Sequence, residues 1–226
     1  MRSLLTEEKG FTLIELLIAM AVAGIMMTVI YQAHNSQIRS SVTQSEVVNM
    51  QQNIRAAMYY MERAIRMAGF DPGGGAAAGL NDDFPNPFEA IGPANLANYL
   101  AFSVDANENG TIDVNDSELF AYRLNGDRLE QFSTGAVQWQ PIAENVDAVN
   151  FVYLDNSGNR TAAPTDVRSI QVTLVVRSGD SVPAYMIRHV DDNVYTNQQG
   201  DVILGQQNDN FRRMRLTTEI NCRNLY

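Results

Sequence analysis

The sequence predicts an α+β fold in which one very long N-terminal helix packs on an antiparallel β-sheet. Three observations carry the prediction. Apolar residues run almost unbroken from Phe11 to Tyr31 and then give way to an amphipathic stretch, with no proline before Pro72. A compact stop signal, Gly69-Phe70-Asp71-Pro72, ends that stretch. From Tyr99 onward, short alternating segments rich in β-branched and aromatic residues are separated by Asn, Asp and Gly turns. Helix at one end of the chain and strands at the other is the α+β pattern.

The elements follow in order. A short polar leader occupies residues 1–10. Residues 11–31 make about 32 Å of helix at about 1.5 Å per residue, enough to cross a bilayer. Residues 32–69 continue the helix as its amphipathic half. Val47, Met50, Ile54, Met58, Met61, Ile65 and Ala68 recur at helical spacing, with Arg55, Glu62, Arg63 and Arg66 between them. That stripe predicts a face packed on the rest of the chain. Residues 70–226 form a β-rich globular domain. Within it, 72–98 read as irregular, from Gly73-Gly74-Gly75 through Pro85, Pro87 and Pro93. Strands are expected at 99–104, 118–124, 128–132, 146–154, 167–176 and 215–222, and Asn125-Gly126-Asp127 marks a hairpin turn.

Composition narrows the function. The 226 residues carry a net charge of −10 and show no basic stripe, so no nucleic-acid partner is expected. The lone cysteine, Cys222, excludes an intramolecular disulfide and reads as a buried thiol. The two histidines, His34 and His189, lie far apart without cysteine companions and do not form a zinc pattern. There is no G-x-S-x-G elbow, H-E-x-x-H helix or lysine-bearing phosphate loop, so no enzyme is predicted.

The N-terminus is more specific. The leader ends in Lys9-Gly10, and Phe11-Thr12-Leu13-Ile14-Glu15 opens the apolar run. An acidic residue inside such a run costs about 2.5–3.5 kcal/mol near a bilayer centre on insertion scales, so Glu15 needs a partner. A cleaved secretory signal fits poorly, because the leader has no net positive charge and the apolar run is too long. A plain signal anchor fits the length but leaves Glu15 and the Gly10-Phe11 junction without a reason. The arrangement resembles the type IV prepilin signature. The resemblance implies that a prepilin peptidase cuts after Gly10 and methylates Phe11. It also implies that Glu15 neutralises the free amine of a neighbouring subunit in a fibre.

Further segments resemble the pilin fold, most closely PilW-type minor pilins and J-type minor pseudopilins of type II secretion. They are Asn53-Ile54-Arg55-Ala56-Ala57, Ile65 to Phe70, Glu144 to Val149 with Phe151-Val152-Tyr153, Val167 to Ile170, Arg212 to Thr218, and Arg223-Asn224-Leu225. The apolar helix lacks proline and the C-terminus lacks a cysteine pair, both unlike many major pilins. The implied role is a minor pilin that helps initiate pilus assembly, or a minor pseudopilin. Glu15 argues against the extreme tip position. The implied partners are other pilin or pseudopilin subunits, prepilin peptidase and an inner-membrane assembly platform. The implied location is the bacterial inner membrane, with the domain periplasmic, and then a fibre. A calcium-dependent adhesin displayed on the fibre is a further alternative, with 72–98 as its surface.

One constellation points to a metal. Residues 105–116 follow the order of an EF-hand calcium loop. Asp105, Asn107 and Asn109 stand at positions 1, 3 and 5, Gly110 at the sharp turn and Thr111 at the backbone-carbonyl position. Asp113 takes position 9 and Asp116 position 12, where glutamate is usual. The ending resembles dockerin-like loops. The flanks read as strands rather than helices, so an acidic β-turn accounts for the same residues. The expectation is a structural Ca2+.

Overall fold

A computed structural model of the chain describes residues 10–80, 97–113, 115–133, 138–179 and 189–225. Most of the leader and residues 81–96 of the expected irregular segment therefore lie outside the described residues. The chain divides into two compact units, residues 1–44 and 45–226.

Helix α1, Leu13–Ile65, is a single 53-residue helix. In the first unit its apolar side chains, among them Leu13, Ile14, Leu17, Ile25, Met27 and Ile30, are exposed on every side. This stretch is long and apolar enough to cross a membrane. Thr28 satisfies its hydroxyl by donating to the Gly24 carbonyl at 3.0 Å, which keeps a bare polar group out of an apolar environment.

In the second unit the last turns of α1 bury the predicted stripe. Met50, Ile54, Ala57, Met58, Met61 and Ile65 sit in one core with Phe102, Tyr122, Phe151, Leu174 and Ile220. Regular helix stops at Ile65, four residues before the predicted end. Met67 and Ala68 donate instead to Ala64 and Ile65, three residues back. Such bonds tighten a final turn and occupy carbonyls that would otherwise be orphaned. Gly69 then turns into the left-handed region (φ +77°) and donates to the Ser103 carbonyl at 3.0 Å. That conformation requires glycine.

The β-structure is divided, where the sequence implied one sheet. Strands β1 (Tyr99–Ser103), β2 (Leu119–Asn125), β3 (Arg128–Ser133) and β4 (Gln138–Glu144) form one antiparallel sheet in that order. A second sheet has the order β5 (Val146–Leu154), β6 (Ser169–Arg177), β9 (Arg213–Asn221), and β7 (Tyr195–Thr196) pairs with β8 (Val202–Leu204). The predicted hairpin closes with Asn125 opposite Arg128. Strand β4 escaped the sequence reading because Pro141 and the exposed Gln138 and Gln140 break its alternation. Strands β7 and β8 are too short to show a period.

A charged cluster joins the second sheet to the segment before β9. The Arg213 side chain is only 2 % exposed and pairs with Asp147 at 2.6 Å, Asp191 at 3.0 Å and Asp209 at 2.6 Å. Arg177 pairs with Asp147 at 2.8 Å and Asp127 at 3.1 Å. The Arg213 hydrogen bonds hold the Asp209 carboxyl below the usual aspartate range. Burial pushes Asp191 the other way, but its bonds from Arg213, Asn193 and Tyr195 prevail and lower it as well. Cys222 is a buried free thiol, and burial pushes its pKa up to about 12.

Candidate functional site

The start of α1 is built as a capping box. Thr12 is the last residue before the helix, and both its backbone N–H and its hydroxyl donate to Glu15 Oε2 at 3.0 Å. The Glu15 N–H points back to Thr12 Oγ1 at 3.3 Å. A threonine cap with an acidic residue three positions on satisfies two otherwise orphaned donors and places the carboxylate at the positive end of the helix. Thr12 was missed as a functional residue, although Thr-x-x-Glu before an apolar run is the signal that reveals it.

The two residues expected at the cleavage junction lie just outside this box. Phe11 is 91 % exposed. At Gly10 an added Cβ would meet nothing within 4 Å, and its φ is not positive. Among the described residues, neither space nor backbone conformation therefore calls for glycine at this position.

The acidic loop between β1 and β2 is organised around two buried carboxylates. Asp105 is fully buried and accepts from the N–H groups of Asn109 at 3.1 Å and Gly110 at 3.0 Å. Gly110 has φ +79°, as the sharp turn demands. Glu118, also fully buried, accepts from the backbone N–H groups of Ala106, Asn107 and Asp113 at 3.1, 3.2 and 2.8 Å. Glu118 thus organises the loop, and the EF-hand template, which ends at Asp116, gave no signal for it. The other predicted ligands are close but turned to one another. Asn107 Nδ2 donates to Asp116 at 2.9 Å, Asn109 Nδ2 donates to Asp113 at 3.0 Å, and the Thr111 hydroxyl donates to Asn109 Oδ1 at 2.7 Å. Among the described residues, no three His, Cys, Asp or Glu side chains gather into a set that could hold a metal ion. The donor set is all oxygen, as calcium prefers, but amide nitrogens stand where an ion would draw oxygens.

Comparison with known proteins adds the family. The model of prepilin peptidase-dependent protein B matches residues 43–196, more than half of the chain, and the prokaryotic N-terminal methylation motif matches residues 6–31. The structure is similar to a type IV-like pilin from Thermus thermophilus, with 14 % identity over 78 % of this chain and 98 % of that one, at a TM-score of 0.47. No curated protein matches the chain. The adhesin alternative finds no support in these comparisons. The methylation motif covers Gly10, Phe11 and Glu15, the long helix packs on antiparallel sheets as a pilin-type layout requires, and the chain belongs to the prepilin peptidase-dependent protein B family.

Proposed function

We propose that this chain is a minor type IV pilin that helps initiate pilus assembly. It is stored in the bacterial inner membrane with its domain on the periplasmic side, processed after Gly10 by prepilin peptidase, and then drawn into a fibre by the assembly platform. The observation that carries the reading is Glu15, a carboxylate in the first turn of a helix whose N-terminal part exposes its apolar surface on every side. In lipid or in a fibre core a carboxylate in that setting is costly unless a group of opposite charge meets it. After cleavage, the Phe11 amine of a neighbour supplies a partner of opposite sign. The pair thereby sets register as well as attraction. Gly10 is compatible with the same reading: among the described residues neither space nor backbone conformation calls for glycine there.

The experiment compares surface fibres, counted by shearing and electron microscopy, in a strain lacking the chain and in complemented strains. Loss of pili, restored by the wild-type chain, supports the reading. Glu15→Ala is expected to be processed yet to restore few pili, and full restoration by that variant would overturn the role of Glu15. Normal pili with exported proteins retained in the periplasm would instead favour a minor pseudopilin of type II secretion, to which the same residues are suited.

We also propose that the 105–116 loop takes up a structural Ca2+ through Asp105, Asn107, Asn109, Thr111, Asp113 and Asp116. The order of oxygen donors and the buried charge of Asp105 support this. Entry of the ion requires the Asn107 and Asn109 amides to turn their oxygens inward.

A further inference from the structure

Three asparagines of the chain stand two positions before a hydroxyl residue, which is the acceptor pattern of N-linked glycosylation. They are Asn109 with Thr111, Asn115 with Ser117, and Asn159 with Thr161. The pattern is short and arises readily among turn residues. What separates the three is how the fold uses the amide and the hydroxyl.

Asn109 is spent inside its own loop. Its Oδ1 accepts from the Thr111 N–H at 2.8 Å and from the Thr111 hydroxyl at 2.7 Å, and its Nδ2 donates to Asp113 at 3.0 Å. The two groups that a transferase must reach are therefore bonded to each other. Asn159 is held through its backbone. Its N–H donates to Asp155 Oδ1 at 2.9 Å, and its carbonyl accepts from the Asp155 N–H at 2.8 Å. Arg160, between the two pattern residues, pairs with Asp201. The Thr161 hydroxyl accepts from the Ala163 N–H at 3.1 Å.

Asn115 differs on each count. It lies with Ser117 on the exposed turn 115–117, between the acidic loop and β2. Among the described residues neither side chain makes a hydrogen bond. Ser117 holds φ +58°, a conformation that glycine adopts with less strain. Packing and backbone thus give no reason for a hydroxyl there. In the order of the calcium loop Asn115 falls at position 11, which supplies no ligand, so an ion and a modified Asn115 are compatible.

We propose that Asn115 is the acceptor of an N-linked glycan, donated by a sugar carried on a lipid diphosphate. The Asn115 Nδ2 attacks the anomeric carbon of that sugar. The new C–N bond forms as the bond from this carbon to a phosphate oxygen breaks. Lipid diphosphate leaves, and the amide loses one proton to solvent. The step needs no oxidant or reductant. Both substrates are tied to a membrane: the donor by its lipid, the chain by the apolar part of α1, which is long enough to cross one. This acceptor role rests on the periplasmic placement of the domain in the minor-pilin reading, since donor and acceptor must meet on one side.

The test uses the full chain purified from membranes of its own cells. Its peptides are searched by mass spectrometry for a glycan on asparagine, placed by electron-transfer fragmentation. A glycan at Asn115, with Asn109 and Asn159 bare, is expected. Asn115→Gln and Ser117→Ala should each abolish it without changing thermal unfolding of the unglycosylated chain. A glycan on Asn109 or Asn159 in place of Asn115 would overturn the proposal, as would one that survives Ser117→Ala. Protease added to spheroplasts separates this site from the reading beneath it. A bare Asn115 on a domain that the protease digests would overturn the glycan alone. A bare Asn115 on a protected domain would overturn both the glycan and the periplasmic placement. A glycan at Asn115 on a chain missing from sheared fibres would overturn the fibre reading and leave the acceptor site standing.

Discussion

Replacing Gly69 by alanine tests the account of how α1 ends. Gly69 holds φ +77°, and a Cβ there would lie 2.7 Å from Leu225 Cδ2 and 2.8 Å from the Asn224 carbonyl oxygen. The left-handed conformation alone costs a residue with a side chain about 1–2 kcal/mol. The oxygen belongs to backbone and cannot rotate away, so the C-terminal segment must lift. Leu225 is 7 % exposed, and uncovering a leucine side chain costs about 1.5–3 kcal/mol. The sum is about 2.5–5 kcal/mol. At about 2–4 °C per kcal/mol for a domain of this size, the melting temperature should fall by roughly 5–20 °C. The assay is thermal unfolding of the full chain in detergent, followed by Trp139 fluorescence and near-UV circular dichroism. Gly73→Ala is the internal control, because nothing lies within 4 Å of its added Cβ and its φ is not positive. Leu225→Ala should cost less in the Gly69→Ala background than alone, since the leucine is already displaced there. A fall no larger than that of Gly73→Ala would refute the argument.

Other expectations follow from the same packing. Arg213→Met leaves Asp191 and Asp209 without their arginine, while Asp147 keeps Arg177, and should destabilise the domain by about 3–5 kcal/mol, measured by urea unfolding. The wild-type chain should also lose stability in acid. Asp191 and Asp209 have lowered values when folded, so their contribution is complete above the ordinary value of 3.8 and disappears as pH falls below it. In Arg213→Met, which removes the bonds that lower both groups, that acid loss should shrink, and superimposable pH profiles would count against the cluster. Glu118→Gln keeps one accepting oxygen but sets an NH2 group where the other accepts, against either Asp113 N–H or those of Ala106 and Asn107, and should cost about 1.5–3 kcal/mol, read as faster hydrogen exchange in that loop. Calcium should raise the melting temperature relative to chelator, and coincident curves would remove the ion from the 105–116 loop. Cys222 should resist maleimide at pH 8 until the chain unfolds, because its buried thiol titrates only near 12.

How much of this was legible in the sequence varies with the range of the forces involved. The stripe from Met50 to Ile65 could be read because helical period and burial coincide, and every one of those positions is buried. Strands β5 and β6 announced themselves through alternation or β-branched density. Strand β4 did not, since its partners in β3 rather than its own residues hold it in the sheet. The same limit applies at the site. Gly10, Phe11 and Glu15 lie within one short motif. Glu118 acts on residues that precede it by up to 12 positions, and Arg213 meets Asp147 from 66 positions away. No local pattern encodes such meetings, which arise when the sheet brings β5, β6 and β9 side by side.

The Thr12–Glu15 box has a consequence for timing. A subunit waiting in lipid with a bare carboxylate would be prone to pair with whatever cation or polar helix it met first. Two hydrogen bonds from Thr12 occupy one carboxylate oxygen, so under the proposed function the stored chain would already hold an internal partner there. In the proposed assembly step a neighbour's amine must then compete with an existing internal bond rather than fill a void. Such an exchange has a threshold: a weak donor leaves the box closed, whereas a fully charged amine at the correct height opens it. The cap that starts the helix would thus also act as a proofreading latch on who may join next.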